Sequence, residues 1–252
     1  MTDLHLEPEF RSRSTVVTAG GALTPATASR LRDGVLKFAT DAPDCVVVDI
    51  RDLTVEHERL LSVFAVIAAR IDDWPGVSFA LVADRPEHVA GLRARSIGEF
   101  VAVHPDVVTA EQARDEAPRR RAVRELAPTV SASALARRFV AETCTRWAVP
   151  EYTEDAQLIA TELVENTVEH TTSPARVRLE LRRALMRVAV ADDDPRPAVR
   201  RERLTPVEPG LGLQLVAQTA RTWGCSRSWL GGKVVWAVLR SPDPSTKGSH
   251  GQ

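Results

Sequence analysis

Thr161-Glu-Leu-Val-Glu-Asn-Thr-Val-Glu-His170 sets Glu162, Asn166 and His170 at i, i+4 and i+8 in a segment that otherwise reads as a buried helix. On a 3.6-residue helix those positions share one narrow strip. Ala156, Ala160, Leu163 and Thr167 mark the neighbouring core-facing stripe, so the polar trio is expected along its edge. A carboxylate and a carboxamide at the rim of a core suit a metal-phosphate site. The amide oxygen can ligate magnesium while the carboxylate takes a proton. A helix whose polar residues merely face water fits these ten residues as well, so the context has to decide.

Three downstream features supply that context. Val188-Ala-Val-Ala-Asp192 alternates as a strand and runs into Asp193-Asp194-Pro195-Arg196-Pro197, where proline forces an exit from a sheet. Glu208-Pro-Gly210-Leu-Gly212-Leu213 then opens an apolar helix with a glycine pair. Glycines there let backbone N–H groups approach phosphate oxygens, and a helix N-terminus favours an anion. Gly231-Gly232-Lys233-Val-Val-Trp-Ala-Val-Leu239 reads as a tight turn feeding a buried strand. In this order the set resembles the N, G1 and G2 boxes of the GHKL (Bergerat-fold) ATPase superfamily. It looks most like bacterial anti-sigma factor serine kinases and related small actinobacterial ATP-binding regulators. The resemblance covers about Ser131 to Arg240.

It implies a set of roles. Glu162 would be the general base, taking a proton from an acceptor serine or orienting a water. Asn166 would ligate Mg²⁺ held through ATP. Asp192 would accept the adenine amino hydrogen bond. Gly210 and Gly212 would frame the phosphate-binding turn, with Leu213 beginning the helix behind it. For His170, at the end of its helix, a cap interaction with the negative helix end is the expectation rather than a catalytic one. Three departures bear on activity. The usual glycine after the G1 aspartate is replaced by Asp194-Pro195-Arg196-Pro197. Leu211 stands where relatives often carry arginine, and Val234 where threonine often follows Gly-Gly-Lys. Arg200, Arg201 and Arg203 are candidates to replace the lost charge, though ordinary loop arginines are the simpler account of them.

The 252 residues suffice for two domains with a core each. A formal net charge of −1 gives no reason to expect direct nucleic-acid binding. Met1 to Glu9 lacks the layout of a signal peptide, and Leu60 to Ala69, the longest apolar run, is too short to span a bilayer. Cys45, Cys144 and Cys225 are odd in number and widely spaced, with no metal or redox pairing. A cytoplasmic protein without membrane contact is expected. Ala113 to Thr129 is dense in charge with Pro118 and Pro128, so a linker is placed at 118–130 and Arg119-Arg-Arg121 is read as solvated. The tail, 241–252, is expected to be disordered. Tryptophans 147, 223, 229 and 236 lie in or beside apolar elements and are expected in packing rather than base stacking.

Residues 1–117 read as alternating strands and helices. Ser14 to Ala19 predicts a strand, Gly20 to Pro25 a turn, and a helix follows through Lys37. Asp44 to Ile50 and Val77 to Val82 read as strands buried on both faces, with helices at Leu60 to Arg70 and Pro86 to Ala94. Phe100 to Val103 and Thr109 to Glu116 give a last strand and helix. Gly21-Ala-Leu-Thr-Pro-Ala-Thr-Ala-Ser-Arg-Leu-Arg32 followed by Val46-Val-Val-Asp-Ile50 looks like a STAS domain of the anti-sigma factor antagonist type. Phosphorylatable members carry an Asp-Ser-Ser-Gly turn at a helix start; here that register reads His57-Glu58-Arg59-Leu60. Glu58 would imitate a constant charge, or the turn has simply drifted in a scaffold. The fold expected is therefore α/β and α+β: a STAS-like sheet with helices, then a Bergerat-fold α/β sandwich at 131–240.

Two functions follow from the resemblance. One is an ATP- and Mg²⁺-dependent anti-sigma factor and serine-protein kinase, switching partners between a STAS antagonist and an alternative sigma factor. The other is a nucleotide-dependent partner-binding module without useful phosphotransfer. Retention of Glu162 favours the first; Leu211 and Val234 favour the second. The fused STAS-like domain is itself an expected partner in cis, at high effective concentration. Kinases of this type are often dimers, so a homodimer is a further expected assembly.

Overall fold

The computed structural model describes residues 3–113, 119–196 and 212–240. The chain divides into two compact units, Met1–Glu116 and Ala117–Gln252. Both combine a sheet with helices, so the expected pair of mixed α/β units is the architecture observed. No described helix is long and apolar enough to cross a membrane.

In the first unit, β1 (His5–Phe10) pairs antiparallel with β2 (Ser14–Leu23), and α1 (Ala28–Thr40) follows. Next come β3 (Cys45–Asp49), β4 (Leu53–Val55), a 3-10 turn at Glu58–Ser62 and α2 (Val63–Asp73). β5 (Ser78–Val82), α3 (Pro86–Ala94), β6 (Ala102–His104) and α4 (Val107–Gln112) complete it. The sheet order is β1-β2-β3-β5-β6, parallel from β2 to β6, with β4 pairing β2. β3 shows why a continuous apolar run marks a doubly covered strand. Val46 and Val48 enter the core formed with Leu31, Val35 and Phe38 of α1 and Phe64 and Ile67 of α2. Cys45 and Val47 face the opposite side, against Ala110 of α4.

Two local readings change. β2 does not turn at Gly20 but continues to Leu23. The glycines are there for close approach: Gly21 has φ +90°, and a side chain on it would strike the backbone of Asp3. β1 itself has no counterpart in the sequence reading. Its surface is largely exposed, so no apolar face marks it.

The second unit is an antiparallel sheet, β10-β11-β9-β8-β7. Its elements are β7 (Arg120–Leu126), α5 (Ala132–Trp147), α6 (Thr153–His170), β8 (Ala175–Arg182), β9 (Leu185–Asp192), α7 (Gly212–Thr219), β10 (Thr222–Arg227) and β11 (Lys233–Arg240). Val177, Leu179, Val188, Val190, Val235 and Ala237 turn one face of the sheet toward α5, α6 and α7. Ala156, Ala160, Leu163 and Thr167, the stripe expected to face the core, are all buried. Trp147 is buried too, whereas Trp229 is 41% exposed.

The segment read as a linker contains β7, the edge strand of this sheet. Arg119 is not solvated: its guanidinium bonds the Glu180 carboxylate at 2.8 Å, and Arg121 stands 3.8 Å from the same group. An edge strand needs only one partly covered face, so its alternation is too weak to stand out from the charge around it. The tail, 241–252, lies outside the described residues.

Candidate functional site

α6 carries the first half of the candidate site. Glu162 and Asn166 are half-buried on its edge and His170 is exposed at its last turn. α7 packs against α6, with Leu213 and Val216 buried in the shared core. At the first residue of α7 the two helices approach so closely that the Glu162 carboxylate lies where a Cβ on Gly212 would stand. A side chain at 212 would therefore force the Glu162 carboxylate to move, independently of any ligand. Burial raises the pKa of Glu162, and the charges of Glu165 and Glu169 raise it further. A carboxylate so placed is a better proton acceptor than a solvated one. Gly210, Leu211 and the arginines at 200, 201 and 203 lie outside the described residues.

β9 delivers the second half. Asp192 is its last residue and only 1% exposed. The chain then turns so that the Asp194 N–H donates to Asp192 Oδ1 at 2.9 Å. Arg196 fixes this turn by donating to both oxygens of the Asp194 carboxylate, which holds that carboxyl well below its usual range. The same guanidinium reaches the carbonyl of His170 at 3.4 Å. His170 thus marks the end of α6 near the turn after β9.

Across the sheet, Lys233 is the direct partner of Asp192 in the β9–β11 register. Its ammonium donates to Asp192 Oδ1 at 2.9 Å and to the Asp194 carbonyl at 3.3 Å, and the residue is 4% exposed. Gly232 brings β11 to this place: it has φ +69°, and a side chain on it would collide with the Asp192 carbonyl. The sequence motif assigns weight to Val234, which is buried opposite Ala191, and none to Lys233. The available signal was a lysine at the head of an otherwise apolar strand.

The result is an asymmetric carboxylate. Oδ1 of Asp192 takes two N–H donors, while Oδ2 is buried with no hydrogen-bond partner among the described residues. A buried unpaired acceptor is costly, and one at a strand end beside a glycine turn suits a ligand bearing an N–H. Among the described residues no group of three or more His, Cys, Asp or Glu side chains is arranged to hold a metal. A cation here would rest on Asn166 and on ligand oxygens, the usual habit of magnesium at phosphates.

In the first unit, His57, Glu58 and Arg59 come together at the 3-10 turn preceding α2. With Arg95 they line a cavity of about 490 Å³. Gly91 lets α3 lie close on this turn, since a Cβ there would come within 2.7 Å of Leu61. Glu58 is exposed, and no hydroxyl group lines the cavity.

No curated protein matches the chain. Among solved structures it is similar to an anti-sigma factor antagonist from Mycobacterium paratuberculosis, at 18% identity and a TM-score of 0.40, covering 44% of this chain and 93% of that one. It is also similar to the RsbU and RsbW domains of a Mycobacterium tuberculosis protein, at 19% identity and a TM-score of 0.38, covering 52% of this chain and 35% of that one. A third is the phosphorylated form of the Bacillus cell fate determinant SpoIIAA, at 12% identity and a TM-score of 0.34, covering 44% of this chain and all of that one. The family model described as the histidine kinase-like ATPase domain matches residues 126–239, a span that holds Glu162, Asn166, Asp192, Gly212 and Lys233.

Proposed function

We propose that the protein is an ATP-binding regulator of the anti-sigma factor serine kinase kind, switching partners between a STAS-domain antagonist and an alternative sigma factor. The observation that carries this reading is the Oδ2 of buried Asp192, without a partner among the described residues and set within a segment that matches the histidine kinase-like ATPase domain. That oxygen is suited to the amino group of adenine. Asn166 would hold Mg²⁺ by its amide oxygen. Gly210, Gly212 and Leu213 would leave room for phosphates at the start of α7. When bound, ATP would supply the phosphoryl group; Glu162 would take the proton of the acceptor serine hydroxyl. The tethered first unit would compete with free antagonists in cis, because its turn at His57 to Arg59 offers no hydroxyl to phosphorylate.

Calorimetric titration of the full chain with Mg-ATP, beside Asp192→Asn, tests the nucleotide site. Binding that weakens sharply in the variant supports it, and absence of binding by the wild-type chain overturns it. Incubation with Mg-ATP and a STAS antagonist bearing an intact Asp-Ser-Ser-Gly turn then tests the activity. Stoichiometric phosphoserine supports the kinase. Nucleotide binding without phosphoserine leaves a nucleotide-dependent binding module, the reading that the apolar Val234 favours.

A further inference from the structure

The ammonium of Lys233 has three N–H donors, and two are accounted for by Asp192 Oδ1 and the Asp194 carbonyl. It is held in a strand register that Gly232 imposes, directly opposite Asp192. Beside it stands the one oxygen of Asp192 with no partner among the described residues. Among the described residues, a buried cation with a spare donor and a buried anion with a spare acceptor thus adjoin. They form a two-point template for a ligand edge bearing a donor next to an acceptor.

We propose that Lys233 is a specificity-determining residue of the nucleotide site, donating to the ring nitrogen N1 of adenine while Asp192 Oδ2 accepts from the adjacent amino group. This rests on the reading of the site as one for ATP. The pairing also explains why a lysine is tolerated where water is excluded. Its charge is matched by Asp192, and its last donor is satisfied by the base. Guanine could offer the same template its O6 and N1–H in place of N1 and the amino group, so GTP is the informative competitor.

The test compares ATP with 1-deaza-ATP, which keeps the amino group and lacks the N1 acceptor, on the full chain by calorimetry in magnesium. The wild-type protein should bind ATP about tenfold or more tightly than 1-deaza-ATP, the usual effect of one charged hydrogen bond. Lys233→Met should bring the ratio to about one, chiefly by weakening ATP. Should Lys233→Met fail to fold, the wild-type ratio of ATP to 1-deaza-ATP affinity still decides, since it needs no variant. A ratio unchanged between wild type and variant would reduce Lys233 to a structural partner of Asp192. A wild-type ratio of one, with ATP still bound, would overturn the proposal while leaving the ATP site standing. Tighter binding of GTP than ATP would overturn it as well. Failure of the wild-type protein to bind any of the three would remove the ATP site and this proposal together.

Discussion

The Glu162 carboxylate of α6 lies against the α-carbon of Gly212, in the space from which a side chain at 212 would grow. The obstructing atom is the far end of a flexible side chain rather than backbone. Gly212→Ala should therefore fold, moving stability by no more than about 1 kcal/mol because Ala in a helix offsets the crowding. It should nonetheless displace the carboxylate and lower the rate of serine phosphorylation. A thermal melt beside a phosphotransfer assay checks this. Equal rates in variant and wild type would mean that the position of Glu162 is irrelevant to the chemistry.

Asp192 and Lys233 make an opposite prediction for stability. Removing one member of a buried ion pair leaves an uncompensated charge, which typically costs about 3–5 kcal/mol. Lys233→Met should destabilise the second unit on that scale. Asp192→Asn with Lys233→Met should recover most of the loss, because both charges leave together. Denaturant titration of Asp192→Asn, Lys233→Met and the double variant measures the coupling. Strict additivity would show that the 2.9 Å contact contributes nothing.

What was legible in the sequence were features that are local and periodic. The stripe Ala156, Ala160, Leu163 and Thr167 identified α6 and the edge on which Glu162 and Asn166 stand, because burial on a helix repeats every few residues. Val188 to Asp192 identified β9 and its buried terminal acid in the same way. Contacts between distant segments left no such mark. Nothing near Gly212 in the chain announces Glu162, and only strand register sets Lys233 opposite Asp192. β7 and β1 escaped because each is largely exposed, so solvation rather than burial shapes their composition.

His88 supplies a pH dependence in the first unit. It is buried on α3; burial lowers its pKa first, the Arg85 charge lowers it further, and a hydrogen bond with the Leu53 backbone opposes the shift. Above the ordinary value of 6.5 the imidazole is neutral in both folded and unfolded chains and contributes no pH slope. As pH falls below 6.5 the unfolded chain gains a proton that the folded one refuses, so stability declines until the lowered folded pKa is reached. His88→Phe should flatten this component between pH 7.5 and 5.5, read from denaturation midpoints. A slope that persists in the variant would assign it to other groups.

Glu162 should set the acidic limb of the phosphotransfer profile. A general base must be ionised to take a proton, so the rate rises with pH through its pKa. Burial raises that pKa above 4.5 as the largest cause, followed by the charges of Glu165 and then Glu169. The limb should therefore lie on the neutral side of an ordinary glutamate's. Glu165→Gln should move it toward lower pH, and Glu169→Gln should do the same more weakly. Because burial persists in both variants, neither should return it to the solvated value. Glu162→Gln should erase the limb and slow phosphotransfer about 100-fold or more, with Mg-ATP affinity little changed. The decisive comparison is the profile of kcat/KM for a STAS acceptor across these variants. A limb that survives Glu162→Gln belongs to another group, and Glu162 would then be retained only for the packing of α6 against the start of α7.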